Sequence, residues 1–309
     1  MQTITKEITE EVFLCGETGR LNPEAAGWSR RPLHVCNLKG RFPRKKKWHY
    51  WCITGDRFLF SATIAHIDYL SLGGAYLLEY DSNRYAEQGG VKLFSRQPAM
   101  PDRVEAPVSF DSRRMKLDFA HAGNGLTISA EAKSFGGKPL EALVHIESPP
   151  GHESLNVVVP WDEGLFQFTS KQHCLPAQGS LRWGEETFDF QPGSAYACLD
   201  FGRGIWPYRT DWNWAAFSGH SGQDTVGLNM GAKWTDHTGM NENGILLNGR
   251  LHKIFEDIVF EYDPDDFMRP WRMRSEESDS VRLEFTPFYE RVGKVNLLAI
   301  RSNAHQCFG

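Results

Sequence analysis

The feature that most constrains the fold of this chain is the density of turn signals between short apolar runs. Asn-Gly pairs at 124–125 and 248–249, and a glycine at 184, interrupt stretches rich in Phe, Tyr, Trp, Val and Ile. Asn-Gly between apolar runs is the strongest short-range signal for a β-hairpin. Strands that follow one another in this way form sandwiches or barrels. We therefore predict an all-β fold of about 16 to 20 strands.

The number of strands also bears on domain organisation. Nearly twenty antiparallel strands rarely form one open sheet without splitting. We predict two tandem antiparallel β-barrels or sandwiches with little helix, over residues 1–155 and 156–309. The boundary falls in the segment with Pro-Pro-Gly at 149–151. Helical spacing and propensity occur only in TKEITEEVFL at 5–14, which predicts one short helix.

Composition and charge exclude several classes of function. A net charge of -5 argues against a dedicated nucleic-acid binder. No apolar run is long enough to span a membrane. The amino-terminal segment has acids where a secretory signal needs a basic end and an apolar core, and the six cysteines form no CxxC pair. We therefore expect a cytoplasmic protein with unpaired thiols.

One basic run, at 41–47, could contact phosphates or a membrane surface. It contains Arg41, Arg44, Lys45, Lys46 and Lys47 and directly precedes a predicted strand. The acidity of the whole chain removes long-range electrostatic support for nucleic acid. A solvated run before a strand is the interpretation that we favour, with membrane-surface contact as the alternative.

The segment 231–250 holds an unusual concentration of groups able to donate and accept protons. Its candidate residues are Trp234, Asp236, His237, Asn241, Glu242 and Asn243. Trp234 and Asp236 are two positions apart, so a strand would present both on one face. These residues lack the spacing of a calcium loop or a zinc helix, so no metal is predicted. The alternative is a loop joined by its own Asn and Asp hydrogen bonds.

A second aromatic segment, at 204–219, places a carboxyl group among indoles. Tyr208, Asp211, Trp212 and Trp214 are its candidate residues. Burial among tryptophans would raise the pKa of the Asp211 carboxyl and make it a general acid. The alternative is that Arg209 or a backbone amide pairs with Asp211. We expect this segment to converge with 234–242 on one cavity.

Two segments of the amino-terminal half supply further candidates for ligand binding. Strand alternation in FLFSATIAHIDYL puts His66 and Asp68 at the end of an apolar face, where a barrel mouth would lie. In WHYW, Trp48 and Tyr50 face one way while His49 and Trp51 face the other. Trp51 is the predicted pocket residue of this strand, and solvated strand ends are the alternative for His66 and Asp68.

Long segments of the chain resemble a family that is catalogued only as a domain of unknown function. They include GWSRRPLHVCNLKGRFPRKKKWHYWCIT, DFGRGIWPYRTDWNWAAFSG and LNMGAKWTDHTGMNENGILLNGR, and the resemblance spans essentially the whole chain. More remotely, the family is similar to the two-barrel lipocalin-like group of AttH and carotenoid 1,2-hydratase. That group has an Asp-His-x-Trp signature. Asp211 and Trp214 keep its acid and its indole, and Trp212 stands in place of the histidine.

The resemblance implies tandem lipocalin-like barrels that bind an apolar ligand and act on its carbon skeleton without a cofactor. It also implies a further hairpin and short helix after residue 309, so we expect a carboxy-terminal domain that is truncated at its end. We predict acid–base chemistry of the hydratase, lyase, cyclase or isomerase type by Asp211 or Asp236 with Glu242 or His237. Tryptophans would line the pocket. A non-catalytic carrier and a carbohydrate-binding protein are the alternatives.

Overall fold

Strands dominate the structure of this chain. The structure, a computed structural model, describes residues 2–95, 97–297 and 300–309, with side chains outside 294–302. More than half of these residues are in strands, and the helix among them is a 3₁₀ turn at Pro23–Ala25. The predicted all-β class with little helix is confirmed. The strands are β1 (Val12–Phe13), β2 (Trp28–Ser29), β3 (His34–Val35), β4 (Lys45–Thr54), β5 (Phe58–His66), β6 (Leu70–Glu79), β7 (Arg84–Leu93), β8 (Val108–Asp111), β9 (Lys116–Ala122), β10 (Gly125–Phe135), β11 (Lys138–Glu147), β12 (Leu155–Pro160), β13 (Phe166–Trp183), β14 (Glu186–Phe190), β15 (Tyr196–Ile205), β16 (Asn213–Ser221), β17 (Asp224–Ala232), β18 (Asn243–Leu247), β19 (Arg250–Ile254), β20 (Ile258–Glu261), β21 (Trp271–Ser275), β22 (Arg282–Phe285), β23 (Tyr289–Leu297) and β24 (Ile300–Phe308).

The turn signals of the sequence mark real hairpins. Antiparallel pairs β9–β10, β13–β14 and β18–β19 meet at the turns that contain Asn124, Gly184 and Asn248-Gly249. Asn248 and Gly249 both have positive φ, at 49° and 78°. Asn and Gly adopt this left-handed conformation at low cost, which is why the pair specifies a tight hairpin.

The predicted helix at 5–14 does not form. This segment is largely extended, with a bond from Ile8 N to Trp28 O, and β1 pairs in parallel with β3. An isolated helix of about ten residues is marginal in water, because nucleation fixes several residues for one hydrogen bond. Pairing with neighbouring strands satisfies the same backbone groups and also buries Ile8 and Leu14.

A 13-stranded sheet, curled as a half-barrel, is the centre of the fold. Its main path is β7-β6-β5-β4-β15-β13-β11-β10-β9-β8; β12 and β14 also pair with β13, and β2 pairs with β12. The 18-residue strand β13 bends at Cys174, a non-glycine residue with φ of 54°, where its register with β15 shifts. Such a bulge re-aims the strand and its side chains. One half of β13 therefore pairs with β12 and the other half with β11.

The two faces of this sheet differ in character. The inner face carries the main core, which is filled by phenylalanines and aliphatic side chains from all of its central strands. Phe60, Phe119, Phe166, Phe168 and Phe201 are among its buried members.

A smaller sheet covers part of the outer face. It has the order β16-β17-β18-β19, and a second apolar core includes side chains from β12, β18 and β19. Contacts such as Cys174 N to Ser218 Oγ tie it to the bend of β13. The outer face of β13 and β15 is therefore buried although it carries polar side chains.

Contacts within the chain divide it into two compact units, residues 1–255 and 256–309. In the first unit, the large sheet joins strands from both sides of residue 155. The second unit contains a three-stranded sheet, β20-β21-β22, and the hairpin β23–β24. The domain boundary at residue 155 stays a prediction. No helix in the described part of the chain has the length and apolar character needed to cross a bilayer.

Candidate functional site

The candidate site begins with the alternation of β13. In FQFTSKQH, phenylalanines alternate with polar residues, so Phe166 and Phe168 enter the main core while Lys171 faces the other way. The polar side chains on that outer face are nevertheless buried beneath the smaller sheet. They are Gln167, Thr169, Lys171 and His173. A buried polar face needs partners, because burying an unpaired polar or charged group is costly.

Lys171 finds its partners in two carboxylates from different parts of the chain. Asp200 on β15 is its direct cross-strand neighbour, and the Nζ–Oδ1 distance is 2.7 Å. Glu242, next to the start of β18, approaches from the covering sheet with an Nζ–Oε2 distance of 3.1 Å. The Lys171 and Glu242 side chains are 5% and 1% exposed. These three residues, the Lys171 cluster, are thus a group of one cation and two acids, of which Lys171 and Glu242 are buried and Asp200 is half-buried.

The charges of the Lys171 cluster do not balance when both acids are ionised. Burial raises the pKa of Glu242, and the charge of Asp200 adds to this, while Lys171 and a bond from Trp234 act in the opposite direction. Burial alone would lower the pKa of Lys171, but Asp200 and Glu242 outweigh it and raise that pKa. The ammonium therefore stays charged, and the net effect of burial and neighbouring charges favours a proton on Glu242.

Gly231 creates the space in which Glu242 lies. A Cβ at this position would overlap Oε1 and Cγ of Glu242, so the carboxyl packs directly against the backbone of β17. The amide of Gly231 donates a 2.8 Å bond to Asn243 Oδ1. Close approach to backbone, and not a positive φ, is the reason that a glycine is needed here.

Tryptophans frame the Lys171 cluster on two sides. Trp234 Nε1 donates to Glu242 Oε1 at 3.0 Å. Lys171 Nζ lies 4.8 Å from the centroid of the Trp214 ring, which contacts Tyr50 edge-on at 5.9 Å. Tyr50 is the cross-strand neighbour of Asp200, and its hydroxyl is 2.6 Å from that of Tyr76. One row across β13, β15 and β4 thus carries a cation, an acid and a phenol.

Asn229 connects the same groups through hydrogen bonds. Its Oδ1 accepts from Trp214 Nε1 at 2.8 Å, and its Nδ2 donates to Glu242 O at 2.5 Å. His173 Nε2 is 3.3 Å from the same Oδ1. Burial lowers the pKa of His173 to about 4, so its imidazole is neutral near pH 7. Asn229 fixes the indole over Lys171 and the backbone that carries Glu242.

Three more indoles extend the aromatic surface beyond Trp234. Trp206 stacks on Trp234 with ring centroids 6.0 Å apart, and Trp161 lies 5.4 Å from Trp206. Trp48 packs edge-on against Trp206 at 5.7 Å. We call Trp48, Trp161, Trp206 and Trp234 the tryptophan stack. The stack runs from Trp48 in β4 and Trp206 just after β15 to Trp234, which binds Glu242.

The segment 231–250 divides between this site and the surface. Trp234, Asn241, Glu242 and Asn243 are buried, whereas Asp236 and His237 are exposed in a turn. Asp236 Oδ1 accepts from Lys233 N, which is the local turn bond that the alternative interpretation expected. Asn241 Oδ1 accepts from Lys253 Nζ at 2.5 Å. Both interpretations of this segment therefore describe part of it.

The segment around Asp211 is more exposed than the sequence suggested. Trp214 reaches the Lys171 cluster, but Asp211 is exposed, as are Trp212 and Tyr208. Of the residues that were expected to converge, Trp214, Trp234 and Glu242 lie around Lys171, whereas Asp211, Trp212 and Asp236 are exposed. The reason is that Asp211 precedes β16, so it lies outside the layer that the strand buries.

The three amino-terminal candidates have structural contacts. Trp51 is buried in the main core, on the face opposite Tyr50. Asp68 pairs with Lys45 at 2.9 Å and accepts from its backbone amide. His66 Nδ1 accepts from Asp68 N, and its Nε2 is 3.1 Å from Ser95 O. The predicted alternation in WHYW is confirmed, and it brings Tyr50 rather than Trp51 to the Lys171 cluster.

The residues that sequence reasoning missed are Lys171, Asp200, His173, Asn229 and Tyr50. The available signal was FQFTSKQH, where two phenylalanines at alternate positions lead into a run of polar residues that includes Lys171 and His173. Two cavities lie elsewhere: one of about 120 Å³ beside Arg57 and Gln191, and one of about 400 Å³ in the second unit beside Arg274. Neither is lined by the Lys171 cluster, which protein side chains close off.

Comparisons with known proteins agree with this architecture. The chain is similar to a crystal structure of kievitone hydratase from Nectria haematococca, with 11% identity, a TM-score of 0.51, and coverage of 84% of this chain and 83% of that chain. It is also similar to a protein assigned as AttH from Nitrosomonas europaea, with 10% identity, a TM-score of 0.49, and coverage of 82% and 85%. The first likeness shows that the two chains share a fold. Comparison with curated proteins gives no match to the sequence.

The resemblance inferred from the sequence is confirmed by a family model. That model, described as a domain of unknown function (DUF2804), matches residues 5–309. It covers both compact units and every strand described above. The chain therefore belongs to the DUF2804 family.

Proposed function

We propose that this protein binds an apolar or amphipathic small molecule along the tryptophan stack and transforms it by cofactor-free acid–base chemistry, with Glu242 as the acid. The supporting observation is that Glu242 is buried beside a second acid, Asp200. Among the described residues, Lys171 is the one cation that pairs with Glu242, and Asp200 pairs with the same lysine. A carboxyl group whose pKa is raised by a water-excluded site can hold a proton near neutral pH and donate it. Perturbed acids of this kind are candidates for function.

The proton transfer that we propose is simple. Glu242 donates its proton to one carbon of a carbon–carbon double bond, and the electron pair of that bond forms the new C–H bond. The adjacent carbon becomes electron-deficient, and indole faces of the stack stabilise its positive character. Water or an internal nucleophile then forms a bond to that carbon and returns a proton to the Glu242 carboxylate.

Lys171 and Asp200 have supporting roles in this proposal. The ammonium stabilises the Glu242 carboxylate that forms when the proton leaves. Asp200 keeps the ammonium charged and positions it through the 2.7 Å bond. Asp211, Asp236 and His237 receive no role in proton transfer, because their side chains are exposed.

The type of reaction is part of the proposal. Water as nucleophile gives a hydratase or, in reverse, a lyase, whereas an internal nucleophile gives a cyclase or isomerase. A fold shared with a protein named as a hydratase is compatible with the first type. Fold alone does not determine chemistry, so the acid carries the proposal.

Glu242→Gln tests the acid directly. The amide keeps an acceptor for Trp234 Nε1 but has no proton to donate. The assay incubates the full chain with unsaturated isoprenoid- and polyketide-like compounds in D₂O and measures deuterium on carbon by mass spectrometry. General acid catalysis contributes about 10²–10⁴-fold, so E242Q is expected to lose at least about a hundredfold in rate.

Glu153→Gln is the matched control. Glu153 is also a largely buried glutamate of the first unit, bound to Arg30 at 2.9 Å, and lies outside the Lys171 cluster. E153Q should keep its rate when measured on folded protein. Equal rates for E242Q and wild type would overturn the assignment of the acid.

A non-catalytic carrier is the second candidate function, because the Lys171 cluster is closed and its groups are bonded to one another. A carrier would bind the same compounds in wild type and E242Q, with no exchange of deuterium. Binding without chemistry in wild type would therefore favour the carrier.

A further inference from the structure

The lysines at the start of β4 differ in whether they form ion pairs. Lys45 Nζ lies 2.9 Å from Asp68, and Lys47 Nζ lies 3.9 Å from Asp102. Lys46, between them, points to the opposite face of β4 because side chains alternate along a strand. No carboxylate of the described residues lies within ion-pair distance of Lys46.

Lys46 is instead placed on the tryptophan stack. Its Nζ lies 4.4 Å from the centroid of the Trp206 ring. Lys46 is half-buried, and burial lowers the pKa of its ammonium. A cation–π contact offsets only part of the cost of desolvating an ammonium.

A second cation lies next to Lys46 on the same side. Arg44 donates from Nε to Trp206 O at 2.9 Å, and its guanidinium lies 4.3 Å from the ring centroid of Tyr208. Arg44 also makes no ion pair within the described part of the chain. Tyr208 is 84% exposed, so this end of the stack opens to solvent.

The two cations and the proposed acid lie at opposite ends of one aromatic surface. Trp206 contacts Lys46 and stacks on Trp234, whose indole N–H binds Glu242. A ligand that lay along this surface would therefore place one end beside two unpaired cations. Its other end would point toward a buried carboxyl group.

We propose that Lys46 and Arg44 bind the anionic head group, a carboxylate or a phosphate, of an amphipathic ligand whose apolar body packs along Trp206 and Trp234. This inference rests on the proposed function, because it names the substrate class of the same site. The anion supplies the counter-charge that Lys46 lacks, and the guanidinium offers a planar fork that suits either head group.

The test measures binding of three matched probes to the full chain: laurate, dodecyl phosphate and dodecan-1-ol. Dissociation constants come from tryptophan fluorescence and from titration calorimetry, below the concentrations at which the probes aggregate. We expect at least one anionic probe to bind about tenfold more tightly than the alcohol, as for one charged hydrogen bond. This preference should weaken as salt is added, since added ions screen the contact.

Lys46→Met should remove most of the preference for the anionic probe and leave binding of dodecan-1-ol within about twofold, because the apolar stem is kept. Lys138→Met is the matched control, since Lys138 Nζ also lies on an indole, 4.9 Å from the Trp183 centroid, and is paired with Glu186. K138M should retain the full preference. If K46M does not fold, the binding of the three probes to wild type still tests whether an anionic head group is preferred.

The outcomes separate this inference from the proposed function. Equal binding of the alcohol and both anionic probes to wild type overturns the head-group site and leaves the proposed function in place. Absence of binding for all three overturns both. A preference that K46M retains overturns the assignment to Lys46. Tighter binding of laurate or of dodecyl phosphate identifies which head group the site accepts.

Discussion

Two buried cations lie on opposite faces of the same sheet, on neighbouring strands, and they are stabilised in different ways. Arg203 on β15 is fully buried on the inner face. Its guanidinium donates to Trp48 O at 2.8 Å and to Pro101 O at 3.1 Å, and contacts His49 Nε2 at 2.7 Å. Among the described residues it has no carboxylate partner. Neutral acceptors therefore hold this charge in place.

Lys171 on β13 faces the other way and has two carboxylates. Burial lowers the pKa of Arg203 to about 9, whereas the two acids raise the pKa of Lys171. Both cations stay charged at neutral pH. The difference lies in what surrounds each cation. Beside Arg203, His49 is neutral, because burial and the charge of Arg203 lower the pKa of its imidazole. Beside Lys171 there are two acids for one cation, and Glu242 is the second of them.

This difference indicates what a buried charge can do. A guanidinium held by carbonyl groups joins backbone segments and exchanges no proton. A lysine shared by two acids leaves one negative charge uncompensated, so the Lys171 cluster can gain and lose a proton. The contrast motivates the four predictions below.

The largest effect is expected for Lys171→Met. The substitution leaves the buried Glu242 and the half-buried Asp200 without a cation, and breaking a buried pair such as Lys171–Glu242 costs about 3–5 kcal/mol. Urea denaturation at pH 7 measures the loss in free energy of unfolding, which should shrink at acid pH as Glu242, whose pKa is raised by burial, takes up a proton. Lys138→Met, a pair with both side chains well exposed, should cost at most about 1 kcal/mol. If K171M lost less than about 1 kcal/mol in free energy of unfolding, the two acids would not depend on Lys171, and the contrast drawn between Lys171 and Arg203 would be wrong.

Gly231→Ala should have the next largest effect. Its Cβ would overlap the Glu242 carboxyl, and overpacking of a filled interior costs about 1–3 kcal/mol. Gly16→Ala is the control, because no atom outside the immediate chain neighbours lies within 4 Å of a Cβ built there. Equal stability of G231A and G16A would show that Glu242 is free to lie elsewhere.

The third prediction concerns pH. Because burial raises the pKa of Glu242, the folded state holds a proton that the unfolded chain releases above its ordinary value of 4.5. The stability from this group is present below that value and is lost as pH rises through the folded pKa. Relative to E242Q, wild type should therefore lose stability as pH increases above 4.5. A constant difference between the two proteins from pH 4.5 to 8 would contradict this prediction.

Buried histidines affect this experiment with the opposite sign. Burial lowers the pKa of His34 and of His173 to about 4, so their contribution to stability rises as pH increases from about 4 to 6.5. This rise should occur in both wild type and E242Q and should cancel in their difference. Comparing the two proteins at each pH therefore isolates Glu242.

The smallest effect is expected for Asp211→Asn. Asp211 is exposed, and surface substitutions of this kind usually change the free energy of unfolding by less than about 0.5 kcal/mol. Urea denaturation of D211N and of E242Q compares the substitution of an exposed acid with that of a buried acid in the same unit. A cost for D211N that matches that of E242Q would indicate that Asp211 has a buried partner.

The sequence was sufficient where a signal is local. Asn248-Gly249 specifies a hairpin through its own backbone preferences, and alternation in WHYW separates the face of Tyr50 from that of Trp51. It also identified Glu242, Trp214 and Trp234 as candidates, because acids, amides and indoles are concentrated in the segments 204–219 and 231–250. It misled at 5–14, where local helical propensity yielded to pairing with β3 and with Trp28.

The sequence by itself determined that this chain is all-β, where its hairpins turn, and which segments carry unusual acids and indoles. Only the tertiary structure decided which acid is buried. Lys171 and Glu242 are 71 positions apart in sequence and share a bond because β16 and β17 of the smaller sheet pack on β13, and this brings the residue before β18 to Lys171. Whether a carboxyl group keeps or loses its proton depends on the water and charges around it. Those surroundings are set by packing between strands and not by the residues next to it in the chain.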